Sequence, residues 1–187
     1  SEKNESLLQQ TQKRIKGIKN LKKPIIICNQ EHRFIVAEQM REINIKPKAI
    51  VLEPTGRNTA PAIIISALLA VKNGDNPNLL VLSSDHEIKN EKKFLEAISY
   101  AKISSEKNKL VTFGIIPTSP ETGYGYIEST KNIYELDKSG DKIIKFKEKP
   151  NLEIAKKYLK DKHHTWNSGI FMFKANTIIE ETKIFFP

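Results

Sequence analysis

Four short strand-like runs, residues 25–28, 48–52, 79–82 and 110–116, alternate with helical patterns. That alternation limits what the chain can fold into more than any other feature. A run of four or five apolar residues is too short for a helix and suits a buried strand. Between the runs, residues 31–43 carry Phe34, Ile35, Ala37, Met40 and Ile43 at helical spacing. Residues 60–71 are apolar almost throughout and read as a helix buried on most sides, and residues 94–101 lie on an amphipathic one. A further amphipathic helix over residues 7–19, with Leu7, Leu8, Ile15 and Ile18, precedes the first strand. Repeated βα units predict an α/β fold with a mainly parallel sheet flanked by helices. After Pro120 the pattern changes: residues 124–129, 133–136 and 142–147 are short strand-like pieces with turns such as Ser139-Gly140 between them, a small antiparallel insertion. A helix over 152–159, a strand over 169–173 and a helix over 175–186 close the chain. No repeat, low-complexity stretch or linker divides residues 1–187, so a single domain is expected.

Composition removes several classes of function. With 187 residues, 39% hydrophobic and 28% charged, the chain is an ordinary globular one. No apolar run approaches the ~20 residues of a membrane span, and residues 1–5 are no signal peptide. Cys28 is the single cysteine, so no internal disulfide forms, and the reading is cytoplasmic, with the thiol as a buried small hydrophobe. The net charge of +9 points towards anionic partners. The lysines are spread along the chain and no stretch interleaves arginine with aromatics, so a specific nucleic-acid partner is not expected, whereas an anionic small ligand is.

The candidate chemistry sits where the strands end. The run 79–82 breaks off into Ser83-Ser84-Asp85-His86. Ligands of open α/β sheets collect beyond the carboxyl ends of the strands. Asp85 therefore either opens a turn or stands where chemistry is done, and a carboxylate beside a phosphate is how Mg²⁺ is usually held. After the second strand comes Glu53-Pro54-Thr55-Gly56-Arg57-Asn58-Thr59-Ala60-Pro61-Ala62. Pro54 and Gly56 suit a tight turn, and Asn58 or Thr59 suits a helix cap. A capped loop leaves Glu53 and Arg57 unexplained: the carboxylate can accept two hydrogen bonds from a guanine, and the arginine can grip a phosphate with its fork. Glu121-Thr122-Gly123-Tyr124-Gly125-Tyr126 lets backbone approach a ligand closely, or is an ordinary turn into a strand. Phe146-Lys147-Glu148-Lys149-Pro150 offers one acid for hydroxyls and one cation for a phosphate, or an exposed ion pair; Pro150 biases Lys149 to an extended backbone, which puts the two side chains on opposite faces. Trp166-Asn167-Ser168-Gly169 reads as a polar turn suited to a sugar, or as a structural indole and its neighbours. His32, His163 and His164 show no metal-ligand spacing.

Taken in order, these segments resemble bacterial mannose-1-phosphate guanylyltransferases. The likeness rests on residues 53–62, Ser84-Asp85-His86, Thr112-Phe113-Gly114-Ile115 with Pro117-Thr118, residues 121–127, Phe146 with Glu148-Lys149-Pro150, and residues 166–171, and so covers nearly the whole chain. Arg57-Asn58-Thr59-Ala60-Pro61-Ala62 marks the guanylyl branch. The resemblance implies a Rossmann-like, GT-A-like nucleotidyltransferase fold and the transfer of GMP from GTP to mannose 1-phosphate, giving GDP-mannose and pyrophosphate. It implies Asp85 as the Mg²⁺ ligand, and Glu53, Gly56, Arg57, Asn58 and Thr59 at the nucleotide. It also implies Gly125, Tyr126, Glu148 and Asn167 at the sugar, and Lys149 on the sugar phosphate. The family's glycine-rich strand-loop with its arginine and lysine, its later acidic segment with a second metal ligand, and the isomerase domain of some relatives are not in this sequence. The expectation is therefore a domain cut at both ends, inactive or nearly so as residues 1–187. Another sugar-1-phosphate nucleotidyltransferase and a non-catalytic nucleotide-sugar-binding module are the alternatives. A homo-oligomer is left open.

Overall fold

A computed structural model of the chain describes residues 5–56, 58–134 and 140–185. The described residues form two compact units. One is drawn from Ser1–Pro77, Ser83–Glu96 and Ile178–Pro187, the other from Asn78–Leu82 and Ala97–Thr177.

The first unit holds a parallel pair of strands, β1 (Ile25–Asn29) and β2 (Ala49–Glu53), in register from Ile25 opposite Ala49 to Asn29 opposite Glu53. Helix α2 (Arg33–Glu42) connects them after a 3₁₀ turn. Val36 and Met40, one turn apart, bury against Ile26 with Leu8, Cys28, Ile43, Ile45 and Ile50 around them. Helix α1 (Leu7–Arg14) is shorter than its apolar spacing suggests and buries polar residues, Gln9, Thr11 and Arg14. Ser6 and Gln9 form a reciprocal capping box, and Gln9 Nε2 donates to Gln39 O at 3.0 Å and Glu42 Oε2 at 2.6 Å on α2. Helix α3 (Thr59–Val71) follows β2. The expectation that it is buried on most sides fails: Ala67 and Ala70 are buried, while Ile65 and Leu68 stay exposed, because its small residues make the close approach.

The second unit is an antiparallel sheet organised on β7 (His164–Lys174). Strand β3 (Asn78–Val81) pairs with its C-terminal half, β5 (Tyr126–Ser129) with its N-terminal half, and β4 (Val111–Ile115) along most of its length. Strand β6 (Ile143–Lys147) pairs with β5, which is the expected antiparallel insertion. Of the expected piece 133–136, Ile133 and Tyr134 form a turn; its other two residues and Ser139 lie outside the described residues. The mixed α/β class holds, with six helices among the described residues: α1 to α3, α4 (Glu91–Glu106), α5 (Leu152–Lys160) and α6 (Ala175–Phe185). The mainly parallel sheet is corrected. Strands β3 and β4 do run the same way, but β7 lies between them antiparallel to both. Helix α5 is tied to the start of β7: the His164 ring stacks on Tyr158 at 3.9 Å, and Asp161 meets His163 Nδ1 at 2.8 Å.

Candidate functional site

In the first unit the site begins where β2 ends. Glu53 is the last paired residue of β2 and is half-buried. Its charge, after burial, helps push the Cys28 thiol up from its ordinary range. Pro54, Thr55 and Gly56 are exposed, and nothing lies within 4 Å of where a Gly56 side chain would start. Arg57 lies outside the described residues. Asn58 takes the N-cap position of α3 with φ 62° and ψ −172°, a region that normally demands glycine. Its side chain makes no cap bond, and no acid sits in the first turn. The expected cap is therefore present in position and absent in chemistry. Among the described residues, the amides of Thr59 and its neighbours, at the positive end of the helix dipole, have no side-chain cap.

Asp85 occupies a turn four residues beyond β3, and its side chain is 80% exposed. His86 Nε2 stands 3.9 Å from Asp85 Oδ1. The Arg14 guanidinium donates to the His86 carbonyl at 3.1 Å. Among the described residues, no three acids, histidines or cysteines converge. An open carboxylate nevertheless suits Mg²⁺, which takes one or two protein carboxylates and completes its octahedron with water and substrate phosphate.

In the second unit four expected residues come together. Asn167 N–H donates to Gly125 O at 2.8 Å, which seats β7 against the start of β5. A side chain begun at Gly125 would stand 2.8 Å from Glu148 Oε2, so the carboxylate lies directly over that backbone. Glu148 Oε1 is 4.0 Å from Lys149 Nζ, with both side chains mostly exposed. The Asn167 amide is fixed by its oxygen, which accepts from Thr112 Oγ1 at 3.0 Å and from Gly169 N–H at 3.3 Å. The NH₂ group is thereby left to donate elsewhere. Thr112, which entered the sequence analysis only as part of a motif, is the residue from another strand that fixes the Asn167 amide.

Three expectations are corrected here. Lys149 is not extended: Pro150 disfavours the right-handed helical region, and the residue takes φ +43° instead, so its ammonium and the Glu148 carboxylate share one side. Residues 166–169 are not a turn but part of β7, with Trp166 paired to β4 and β5 at once. Tyr126 does not fit a sugar-facing role, because its side chain is only 1% exposed and packs near Tyr158 at 5.3 Å. The exposed aromatic beside Gly125 is Tyr124, set edge-on to Trp166 at 5.2 Å.

Residues 1–184 match the family described as Nucleotidyl transferase. The chain belongs to that family. The matched span of the nucleotidyl transferase takes in both units and every candidate residue named above. Among curated relatives, the mannose-1-phosphate guanylyltransferase of Klebsiella pneumoniae is 46% identical over 182 residues, 97% of this chain and 38% of the relative. The xanthan biosynthesis protein XanB of Xanthomonas campestris is 49% identical over 164 residues, 88% of this chain and 34% of the relative. Among solved structures, the mannose-6-phosphate isomerase of Helicobacter pylori superposes with a TM-score of 0.82 at 34% identity, covering 96% of this chain and 65% of that one. The chain thus spans little more than a third of the length of these curated relatives.

Proposed function

We propose that the protein carrying this nucleotidyl transferase chain moves GMP from GTP to mannose 1-phosphate, giving GDP-mannose and pyrophosphate. The observation that carries the reading is the Glu148 carboxylate seated over the Gly125 backbone beside a fixed Asn167 amide. That arrangement offers a charged acceptor and a donor to sugar hydroxyls, with Lys149 next to them for the sugar phosphate. The name of the Klebsiella relative supplies the sugar and the base. Glu53 accepts from guanine, and the loop through Gly56, Arg57, Asn58 and Thr59 meets the nucleotide.

In the reaction an oxygen of the sugar phosphate attacks the α-phosphorus of GTP. A new phosphorus–oxygen bond forms, the bond to the bridging oxygen breaks, and its electrons leave with pyrophosphate. Such a displacement needs alignment and charge neutralisation rather than a protein nucleophile. Lys149 holds the attacking phosphate, Glu148 and Asn167 orient the ring, and the uncapped start of α3 favours negative charge. Asp85 would hold Mg²⁺, which supplies charge neutralisation at the phosphates when bound.

Residues 1–187 act as one domain in this reading, since both units lie within one family match. No helix among the described residues is long and apolar enough to cross a membrane. We place the protein in the cytoplasm, where the lone free cysteine of this chain and a nucleotide substrate both belong. The test is product analysis on the full reading frame with GTP and mannose 1-phosphate. Formation of GDP-mannose and pyrophosphate is expected. A preference for UTP, CTP or dTTP, nucleotide-sugar binding without turnover, or isomerisation of mannose 6-phosphate with no GDP-mannose would replace the proposal.

A further inference from the structure

Among the described residues of the first unit, Arg14 is the one strongly basic side chain that is buried, at 6% exposure. A guanidinium stays charged at every pH a protein meets, and burying one costs several kcal/mol unless it is paired and hydrogen-bonded. Among the described residues Arg14 has no carboxylate partner and its Nε has no acceptor. Its one recorded bond runs from Nη2 to the carbonyl of His86, 72 positions along the chain. That bond is also the only hydrogen bond recorded among the described residues between the segment 83–89 and the rest of the chain. The turn that carries the exposed Asp85 is therefore held by a single charged donor, and that donor sits on a helix whose buried face is polar rather than apolar.

We propose that Arg14 is a positioning residue for the metal carboxylate: it grips the carbonyl of the residue after Asp85 and so sets where Asp85 presents its oxygens. The inference rests on the reading of Asp85 as the Mg²⁺ ligand. A hydrogen bond to a charged donor is among the stronger ones and is directional. Holding the peptide directly after Asp85 fixes the turn, while leaving the carboxylate itself open for a cation. Groups that orient a metal ligand without touching the metal typically carry about 10- to 100-fold of its affinity.

The test uses the full reading frame, with Mn²⁺ in place of Mg²⁺ and GTP present. Free Mn²⁺ is followed by electron paramagnetic resonance, so that binding is read apart from turnover. Arg14→Gln is expected to weaken Mn²⁺ binding about tenfold or more, while Arg14→Lys restores part of it. The KM for mannose 1-phosphate should stay within about twofold in both, because the sugar phosphate is held by other loops. Thr11→Val, a change on the same buried face of α1, is expected to leave Mn²⁺ affinity unchanged. Where Arg14→Gln does not fold, Arg14→Lys carries the test with an expected loss of about threefold, since an ammonium is a shorter, single-point donor. Unchanged Mn²⁺ affinity in the folded Arg14 variants overturns the proposal, and so does an equal loss in Thr11→Val. Asp85→Asn separates this proposal from the one it rests on. If Asp85→Asn binds Mn²⁺ like the wild type, the metal reading of Asp85 fails. If it loses Mn²⁺ while the Arg14 variants do not, only the positioning role fails.

Discussion

Adding one methyl group at Gly125 separates folding from sugar recognition. A Cβ there would lie 2.6 Å from Phe146 Cζ and 2.8 Å from Glu148 Oε2, where ordinary contact begins at 3.4 Å. The phenyl tip must retreat by about 0.8 Å and the carboxylate oxygen by about 0.6 Å. Both are distal atoms of side chains about half exposed, so they can move outward without disturbing the sheet. Gly125 does not have a positive φ, and alanine there recovers about 0.4–1 kcal/mol by restricting the unfolded chain. The net stability change should therefore be within about 1 kcal/mol, a Tm shift within about 2–4 °C for a chain of this size. Recognition has no such slack. A misplacement near 1 Å costs up to about 100-fold in a positioned reaction, and losing a hydrogen bond to a charged acceptor costs about 1.5–3 kcal/mol. Gly125→Ala should thus lower kcat/KM for mannose 1-phosphate by at least about tenfold, with KM for GTP nearly unchanged. The measurement is pyrophosphate release at varied sugar phosphate, with thermal denaturation on the same samples. A folded Gly125→Ala protein whose kcat/KM for the sugar phosphate stays within twofold of wild type would show that the carboxylate over Gly125 does not bind the sugar.

The same addition at Gly114 has the opposite signature. There a Cβ would stand 2.8 Å from Thr165 Cβ, with the hydroxyl closer still, and a Cβ cannot swing away. Gly114→Ala should cost about 1–3 kcal/mol in denaturant unfolding, as over-packing does. Thr112→Val removes the donor that fixes the Asn167 oxygen. It should raise KM for mannose 1-phosphate several-fold while costing about 1–2 kcal/mol in urea titrations. Gln9→Ala breaks the α1 capping box and two bonds to α2, and should lower Tm by several degrees at about 1–3 kcal/mol. The hydrogen bond to His163 holds the Asp161 carboxyl below its usual range, against the opposing effect of burial, with the His164 charge adding to the lowering. A depressed carboxyl contributes stability above its unfolded pKa and loses it as pH falls through the folded one. Asp161→Asn should therefore be less stable than wild type at neutral pH by about 0.5–1 kcal/mol, and the two unfolding curves should converge in acid.

Strands β1, β2, β3 and β4 were legible as short apolar runs, a compositional mark that needs no partner to be seen, although Ile26 is the one residue of the four strands that is buried. Strand β7 was read five residues too short at its start. Trp166, Asn167, Ser168 and Gly169 look like a polar turn by type, yet they extend as strand because partners from elsewhere hold them: β4 and β5 pair with Trp166, and the Thr112 hydroxyl donates to the Asn167 oxygen. Long-range satisfaction of polar groups has no periodicity, so no local pattern could reveal it. The same holds for α1. Leu8 packs on the core and Ile15 is buried at the helix end as the spacing suggests, but Gln9, Thr11 and Arg14 are buried as well, which no apolar spacing shows. Gly125, Glu148 and Asn167 entered as candidates through the family resemblance, since their types alone also fit an ordinary turn, an exposed ion pair and the neighbours of a structural indole. That Glu148 lies over Gly125, and that Tyr126 turns inward, follows from sheet register, which composition does not carry.

Backbone cost marks the same places. Among the described residues, five non-glycine residues have positive φ: Asn20, Asn44, Asn58, Asn108 and Lys149. Asn44 and Asn108 end α2 and α4, where the chain gains the bonds that usually follow such a turn: Ile45 N–H reaches Met40 O at 3.0 Å, and Lys109 N–H reaches Ser104 O at 3.3 Å. Those two are offset locally, and asparagine visits that region readily. Asn58 and Lys149 gain nothing of the kind. Asn58 precedes a helix without capping it, and Lys149 takes a conformation rare for a long side chain. Each costs on the order of 1–3 kcal/mol. Relaxing either would need only an ordinary change of φ in an exposed loop. Strain that cheap to relieve is retained where the strained shape is itself useful. At Asn58 it leaves the α3 amides open to a phosphate, and at Lys149 it puts an ammonium beside the Glu148 carboxylate. A structural account of either loop alone would explain its glycines and prolines but not this cost.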